Sequence, residues 1–161
     1  MRVRAGIILI ENDSIALIKR VQGFSTFYVL PGGSVADHEN TRQATIRKAK
    51  EELGVNVEIS RMLAVVEISK RGGHWLQIYY LVQKIGGEFG KTKKAASKPK
   101  SFGSYEAVWM PVKELTCHSI YPKPLAYLLA KQVPNEVLHI TESKALGGFR
   151  DKSARVIETH Y

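Results

Sequence analysis

Apolar residues recur along the chain in short runs and at helical spacing, and they predict several β-strands and two helices. The first two strands flank the polar residues 11–14, which we expect to form a four-residue hairpin turn. Gly72-Gly73 is the expected turn of a second hairpin, and Pro31-Gly32-Gly33 ends a short strand because it breaks regular structure. After residue 134 the pattern fades, so two further strands and a loosely packed tail remain alternatives. The predicted strands cover residues 3–10, 15–21, 26–30, 57–69, 75–85 and 105–110, the helices 41–53 and 122–132, the weaker strands 137–140 and 155–157, and a Gly/Lys/Ser-rich loop 86–104.

The first predicted helix has capping signals at both ends. Asn40 or Thr41 can cap its start, and Gln43 follows Asn40 by three residues, as in a capping box. Gly54 follows Leu53, the last residue of the periodic pattern, where a C-cap glycine is expected. The helix therefore has a defined start and end.

This helix separates apolar from charged residues. A solvated charged face is the ordinary interpretation, but Glu39 just before the helix and Arg47 four residues before Glu51 favour a metal site. Mg²⁺ takes hard oxygen ligands, usually one or two carboxylates with waters and phosphate oxygens. Arginine holds a carboxylate in a fixed orientation. At about 100° per residue, the apolar side carries Ile46, Ala49 and Leu53, and the charged side carries Arg47, Lys48, Glu51 and Glu52.

The segment from Leu30 to Val55 resembles the Nudix box, Gly-x5-Glu-x7-Arg-Glu-U-x-Glu-Glu-x-Gly-U, where U is a bulky aliphatic residue. Seven of the nine specified positions match in register, and Lys48 and Ala49 are the two that do not. The hairpin before the box and residues 106–115 after it also resemble the family, so the resemblance covers roughly residues 3–132. The matching positions are Gly33, Glu39, Arg47, Glu51, Glu52, Gly54 and Val55.

The resemblance implies an α/β (α+β) fold in which a mixed β-sheet lies between helices. It implies a single domain over residues 1–161, with its core at about 3–132 and a C-terminal extension, 133–161, whose role is open. The implied activity is Mg²⁺- or Mn²⁺-dependent hydrolysis of a diphosphate linkage in a nucleoside di- or triphosphate derivative.

The resemblance also implies roles for residues of the box. Glu51 and Glu52 would be metal ligands, with Glu52 also catalytic, and Glu39 would be a further or water-mediated ligand. The backbone carbonyl of Gly32 or Gly33 would be another ligand. Water would then attack phosphorus while the metal neutralises the charge that builds on the phosphate oxygens.

Arg47 would orient the glutamates, whereas Lys48 stands where the family has the first glutamate of its Arg-Glu pair. That glutamate is a metal ligand and, in some members, the general base. Three interpretations of Lys48 are open. In the first, another residue acts as the general base, and Glu106 is the candidate. In the second, catalysis is lost and Lys48 contacts phosphate as a point charge; in the third, the substitution was made to trap a complex. Three functions are considered for the chain: an active hydrolase, an inactive Nudix domain that binds a nucleotide or RNA, and a plain structural or interaction domain.

Charge and aromatic residues outside the box suggest where ligands could bind. The formal net charge of +9 favours polyanionic partners such as nucleotides or nucleic acid. The lysines of the loop 91–100 form either a nucleic-acid arm or a solvated loop. Trp75 and Tyr79 are candidates for stacking on a substrate base, and core packing is the alternative for half of such strand residues.

Several classes of protein are excluded by composition. Cys117 is the only cysteine, which excludes an internal disulfide and a cysteine-based zinc site and favours the reducing cytoplasm. No run of about 18 apolar residues occurs, so no membrane association is expected. The apolar stretch near the start runs into charged residues without a cleavage site, so a strand is expected there and not a signal peptide. The oligomeric state stays open, with a homodimer as one option.

Overall fold

The computed structural model describes residues 1–70, 72–92 and 103–143, and it describes the backbone of residues 156–160. In chain order the elements are β1 (Arg2–Glu11), β2 (Ser14–Gln22), β3 (Ser25–Val29), β4 (Gly32–Ser34), α1 (Thr41–Leu53), β5 (Val55–Lys70), β6 (Gly73–Gly87), β7 (Ser104–Pro111), β8 (Ile120–Tyr121), α2 (Lys123–Lys131), β9 (Leu138–Ser143) and β10 (Val156–His160), with a 3₁₀ turn at Val112–Glu114.

The described strands form one mixed sheet in the order β10-β9-β5-β6-β1-β2-β3-β8, with β4 on β1 and β7 on β2. Strand β1 pairs in parallel with β6 over most of its length, but it pairs with β2 only at its last residues, Ile10 with Ile15 and Glu11 with Ser14. The early part of β1 is therefore free to pair with β4, which places the glycines of the Pro-Gly-Gly loop beside Ala5 and Gly6.

Two apolar cores lie on the two faces of the sheet, because alternate residues of a strand point to opposite faces. Ile7 of β1 packs in one core with Leu53 of α1. Ile8, its neighbour, packs in the other core with Leu125 of α2. The predicted mixed sheet between helices is confirmed, and in the described part of the chain no helix is long and apolar enough to cross a membrane.

The first hairpin differs from the prediction of a four-residue turn. Glu11 and Ser14 pair with each other, so the turn consists of Asn12 and Asp13 alone. Both residues have positive φ, 49° and 60°, as a two-residue type I′ turn requires. Asparagine and aspartate tolerate this conformation better than most residues, which is the signal that the sequence carried.

The other differences concern short or terminal elements. Strands β4 and β8 have only three and two residues, too few to show a strand pattern in the sequence. They are strands because β4 pairs with β1 and β8 pairs with β3. The loop predicted over 86–104 is shorter at both ends, and residues 93–102 lie outside the described part of the chain. Of the two alternatives for residues 137–140, a strand or a loosely packed tail, the structure shows the strand: β9 pairs in parallel with β5.

Candidate functional site

Helix α1 is fixed at both ends by the residues that the sequence identified. The Asn40 side chain accepts a hydrogen bond from the Gln43 backbone N–H at 2.9 Å, and the Gln43 side chain accepts one from the Asn40 N–H at 2.9 Å. At the other end Gly54 is left-handed, with φ 78°, and its N–H donates to the Lys50 carbonyl at 3.1 Å. The predicted capping box and C-cap glycine are confirmed.

Arg47 connects the Pro-Gly-Gly loop to the helix. Its Nε donates to Glu39 Oε2 at 3.0 Å, and a second guanidinium nitrogen contacts Glu39 Oε1. The same guanidinium donates to Glu51 Oε1 at 2.9 Å and to the Ser34 carbonyl at 3.1 Å. One side chain thus fixes the position of the loop, of the residue before the helix and of a glutamate one turn along it.

These contacts set the charge of the two carboxyl groups. Hydrogen bonds from Arg47 and from the Ala36 N–H lower the pKa of Glu39 from 4.5 to about 2. The hydrogen bond with Glu39 in turn raises the pKa of Arg47 above its usual range. Burial acts to raise the pKa of Glu51, but hydrogen bonds from Lys48 and Arg47 outweigh it, so this pKa is lowered. At neutral pH Glu39 and Glu51 are therefore carboxylates paired with cations.

Lys48 lies inside this cluster. Its Nζ is 2.9 Å from Glu51 Oε2, and its side chain is only 14% exposed. The end of the side chain lies over Gly33, where a Cβ atom would be 2.8 Å from Nζ. Glycine at position 33 therefore leaves the space that the Lys48 ammonium occupies, which the sequence did not predict.

Glu52 faces the sheet. It is only 3% exposed, and its Oε2 accepts a hydrogen bond from the Tyr105 hydroxyl of β7. Sequence reasoning missed Tyr105 as a site residue, and it also missed the Ser34 carbonyl. No local spacing could identify the Tyr105 contact, since the two residues are 53 positions apart and meet only through the tertiary fold.

The donor chemistry fits a single divalent ion, although the cluster is not preformed for one. Among the residues that the structure describes, no group of three or more His, Cys, Asp or Glu side chains is arranged to hold a metal ion. Mg²⁺ usually needs only one or two carboxylates, with waters and phosphate oxygens completing its shell. Glu51 and Glu52 are such donors, but Arg47 and Lys48 each hold one Glu51 oxygen. Both Glu39 oxygens are hydrogen-bonded already, so its role as a ligand stays a prediction.

Three other predicted site residues lie apart from the cluster. Glu106 is exposed and pairs with Lys19 of β2. Strand alternation places its side chain on the opposite face of β7 from Tyr105. Trp75 lies beside the Arg2 guanidinium, 5.7 Å from the ring centre, and lines a cavity of about 220 Å³. Tyr79 is 1% exposed in the core on the α2 side of the sheet.

Tyr79 is held as a core residue would be. Its hydroxyl donates to Gln77 Oε1 at 2.7 Å, and burial raises its pKa to about 12. The proposed basic arm, residues 91–100, begins with Lys91, which pairs with Glu88 at 2.9 Å. Its remaining lysines lie outside the described residues.

Comparison with known proteins gives a family match over most of the chain. The model of the NUDIX domain matches residues 1–132. An ADP-ribose pyrophosphatase from Methanocaldococcus jannaschii is 37% identical over 84 residues, which are 50% of this chain and 50% of that protein. A human 8-oxo-dGDP phosphatase is 28% identical over 140 residues, 86% of this chain and 37% of that protein. The chain thus spans half or less of the length of these two curated relatives.

Solved structures agree with the fold. A MutT NUDIX hydrolase from Burkholderia pseudomallei superposes with a TM-score of 0.63 at 26% identity, covering 83% of this chain and 98% of that one. A MutT protein from Bacillus halodurans superposes with a TM-score of 0.64 at 16% identity, covering 88% and 91% of the two chains. The superpositions cover most of this chain and nearly the whole length of both neighbours, so the chain shares their fold.

Proposed function

Because the chain belongs to the Nudix family, we propose that it hydrolyses a diphosphate linkage in a nucleoside di- or triphosphate derivative. The observation that carries this proposal is the Arg47 contact network, which joins Glu39, the Ser34 carbonyl and Glu51. Without such a network the glutamates of the helix would form an ordinary solvated face. The network instead fixes Glu39 and Glu51 beside the loop that would receive a diphosphate.

The substrate class is supported by the names of the relatives. One is called an ADP-ribose pyrophosphatase and two are called 8-oxo-dGDP phosphatases. Both substrates contain a nucleoside diphosphate, so the part they share is the part that the box would bind. We extend this class to the present chain, and we place it in the cytoplasm, which its single cysteine favours.

In this proposal Glu51, Glu52 and the carbonyl of Gly32 or Gly33 hold one Mg²⁺ or Mn²⁺ ion. When bound, the ion neutralises charge on the phosphate oxygens. Arg47 orients Glu51, and the Tyr105 hydroxyl holds Glu52 in place. Lys48 competes for a Glu51 oxygen, so we expect the hydrolysis to be weak.

An inactive domain that binds a nucleotide is the second candidate function. The Lys48–Glu51 ion pair favours it, because this pair places a positive charge where a metal ligand stands in the family. The two functions differ in whether turnover occurs, so one assay separates them.

The experiment is a turnover assay with Mg²⁺ or Mn²⁺ on ADP-ribose, 8-oxo-dGDP, nucleoside triphosphates and capped RNA. We expect Glu52→Gln to abolish wild-type turnover and Lys48→Glu to raise it, within the roughly 10²–10⁴-fold range of general-base catalysis. Lys50→Glu is the control, since Lys50 is an exposed lysine of the same helix and the change in charge is the same. Glu106→Gln tests Glu106 as the base.

Turnover that survives Glu52→Gln would contradict the metal-site assignment. If wild type and Lys48→Glu are both silent but bind ADP, the binding function replaces the hydrolase. An equal gain from Lys48→Glu and Lys50→Glu would mean that net charge, and not position 48, limits the reaction.

A further inference from the structure

The position of the Lys48 ammonium has a consequence for the metal requirement of the site. Glu39 and Glu51 are ion-paired with Arg47 and Lys48, and Glu52 follows Glu51 on the same helix, so these five side chains together carry a formal charge of −1. A divalent ion is normally needed because a bare carboxylate cluster repels the phosphates of a substrate. Here Lys48 adds a positive charge to the site, which reduces that repulsion.

We propose that the Lys48 ammonium takes the place of the divalent cation in holding the substrate, so that the site binds nucleoside diphosphates when no divalent metal is present. This inference rests on the proposed function, because it assumes that the Pro-Gly-Gly loop and α1 form the diphosphate site. It goes further in separating the binding of the diphosphate from the metal.

The first support is the location of the ammonium. Lys48 Nζ lies between Glu51 Oε2, at 2.9 Å, and Gly33 of the loop, in the space that a side chain at position 33 would fill. The loop backbone under it is fixed, since Gly33 pairs with Ala5 of β1. The ammonium is therefore held between the helix carboxylate and the loop, where a bridging cation would lie.

The second support is the hydrogen-bonding capacity of the Lys48 ammonium. An ammonium has three donors, and Glu51 is the one charged partner of Lys48 within the described residues. The ion pair with Glu51 engages one of these donors, and lysine binds phosphate as a point charge. The Lys48 side chain is only 14% exposed, so solvent screens its charge only in part.

The third support is the way Glu51 is shared. Arg47 takes Glu51 Oε1 and Lys48 takes Oε2, so a metal ion has to displace Lys48 before it can use the second oxygen. Lys48 thus lowers the affinity for a divalent ion and supplies a substitute for it.

The test measures binding of ADP by calorimetry, with AMP as the monophosphate comparison, once in EDTA and once in MgCl₂. We expect the wild type to bind ADP in EDTA, to prefer it to AMP, and to gain little from Mg²⁺. Lys48→Met, which keeps the aliphatic stem, should weaken binding in EDTA by about 10- to 100-fold, the usual range for losing a hydrogen bond to a charged group. Lys50→Met, on the exposed side of the same helix, should bind as the wild type does.

Two further variants separate the ammonium from other effects of position 48. Lys48→Glu should bind ADP only when Mg²⁺ is present, because a fourth carboxylate restores the need for a cation. Gly33→Ala keeps every charge but displaces the end of Lys48, and it should weaken binding in EDTA as well. Thermal melting of each variant in the same buffers verifies that it is folded.

Wild-type binding that requires Mg²⁺, or Lys48→Met binding in EDTA as tightly as the wild type, would overturn the inference. Metal-dependent turnover without metal-free binding of ADP would overturn the inference about Lys48 but leave the proposed hydrolase function standing. Metal-free binding without turnover would support it and remove the hydrolase. If neither binding nor turnover is found, both proposals fail.

Discussion

Arg47 contacts three separate parts of the loop–helix segment with one guanidinium group: Glu39 before the helix, the Ser34 carbonyl in the loop and Glu51 one turn along. The planar guanidinium has five N–H donors in a fixed fork, whereas a lysine ammonium is a compact point charge. A lysine could therefore replace one of these contacts but not all three. The loop depends on this residue for its position relative to the helix.

The acidity of Glu39 leads to a prediction about stability and pH. Arg47 lowers the pKa of Glu39 to about 2 in the folded protein, against an ordinary value of 4.5. The carboxylate therefore stabilises the fold above pH 4.5, and this contribution is lost as the pH falls from 4.5 to 2. We expect Glu39→Gln to lower the melting temperature at pH 7, with the difference from the wild type shrinking to nothing near pH 2.

Asp37→Asn is the matched control, because Asp37 is an exposed carboxyl in the same loop. It should leave the melting temperature nearly unchanged at each pH. A deficit of Glu39→Gln that is the same at pH 7 and pH 2 would show that the amide disturbs packing and that the ion pair with Arg47 contributes nothing.

Contacts within the helix could be predicted from spacing, whereas contacts that leave it could not. Arg47 and Glu51 are four residues apart and pair as expected. The Glu39–Arg47 contact depends on the path of the loop, and the Glu52–Tyr105 contact depends on where β7 lies. Sequence alone therefore identified the charged residues of the site but not the hydrogen bonds that orient them.

At the scale of elements, the sequence predicted the caps of α1 correctly but not which of its faces is buried. The projection grouped Ile46 with Ala49 and Leu53 on the apolar side, but the structure buries only Ala49 and Leu53 and leaves Ile46 44% exposed. The charged side was also divided, since Glu52 is buried against β7. The helix is thus rotated relative to the simple projection, so that Glu52 faces Tyr105 at the sheet.

This rotation predicts unequal effects of truncating two apolar residues of α1. Leu53→Ala should lower the free energy of unfolding by about 2–5 kcal/mol, since Leu53 is fully buried. Ile46→Ala should lower it by less than about 0.5 kcal/mol, the usual range for a surface substitution. Urea unfolding of both variants measures the difference. Similar losses at the two positions would place Ile46 in the core after all and restore the projected face.

At the scale of the whole molecule, the sheet extends beyond the part of the chain that matches the family. The match ends at residue 132, yet β9 pairs with β5 and places Leu138 and Ile140 in the core. Sequence pattern could not decide on this strand because its six residues include His139, Thr141 and Glu142, which weaken the apolar signal. Pairing with the long strand β5 supplies the register that the local sequence lacks.

The same strand buries a carboxyl group, which gives a prediction that depends on pH. Glu142 of β9 is 6% exposed, and its Oε1 has no hydrogen-bond partner within the described residues. Burial raises its pKa, although the positive charge of Lys70 opposes the shift. The folded protein thus holds the proton to a higher pH than the unfolded chain does, so the ionised carboxylate costs stability at high pH and nothing below about pH 4.5.

Glu142→Gln removes the charge and keeps the shape, so we expect it to raise the melting temperature at pH 8 and to lose this advantage as the pH falls toward 4.5. The free energy of unfolding at pH 8 should rise by roughly 1 kcal/mol, the low end of the cost of an unsatisfied buried group, because Lys70 and solvent screen the charge. Glu58→Gln, at an exposed position on β5, should show no such trend. A loss of stability for Glu142→Gln at pH 8 would contradict this prediction. It would mean that a partner stabilises the ionised Glu142 carboxylate in the folded protein.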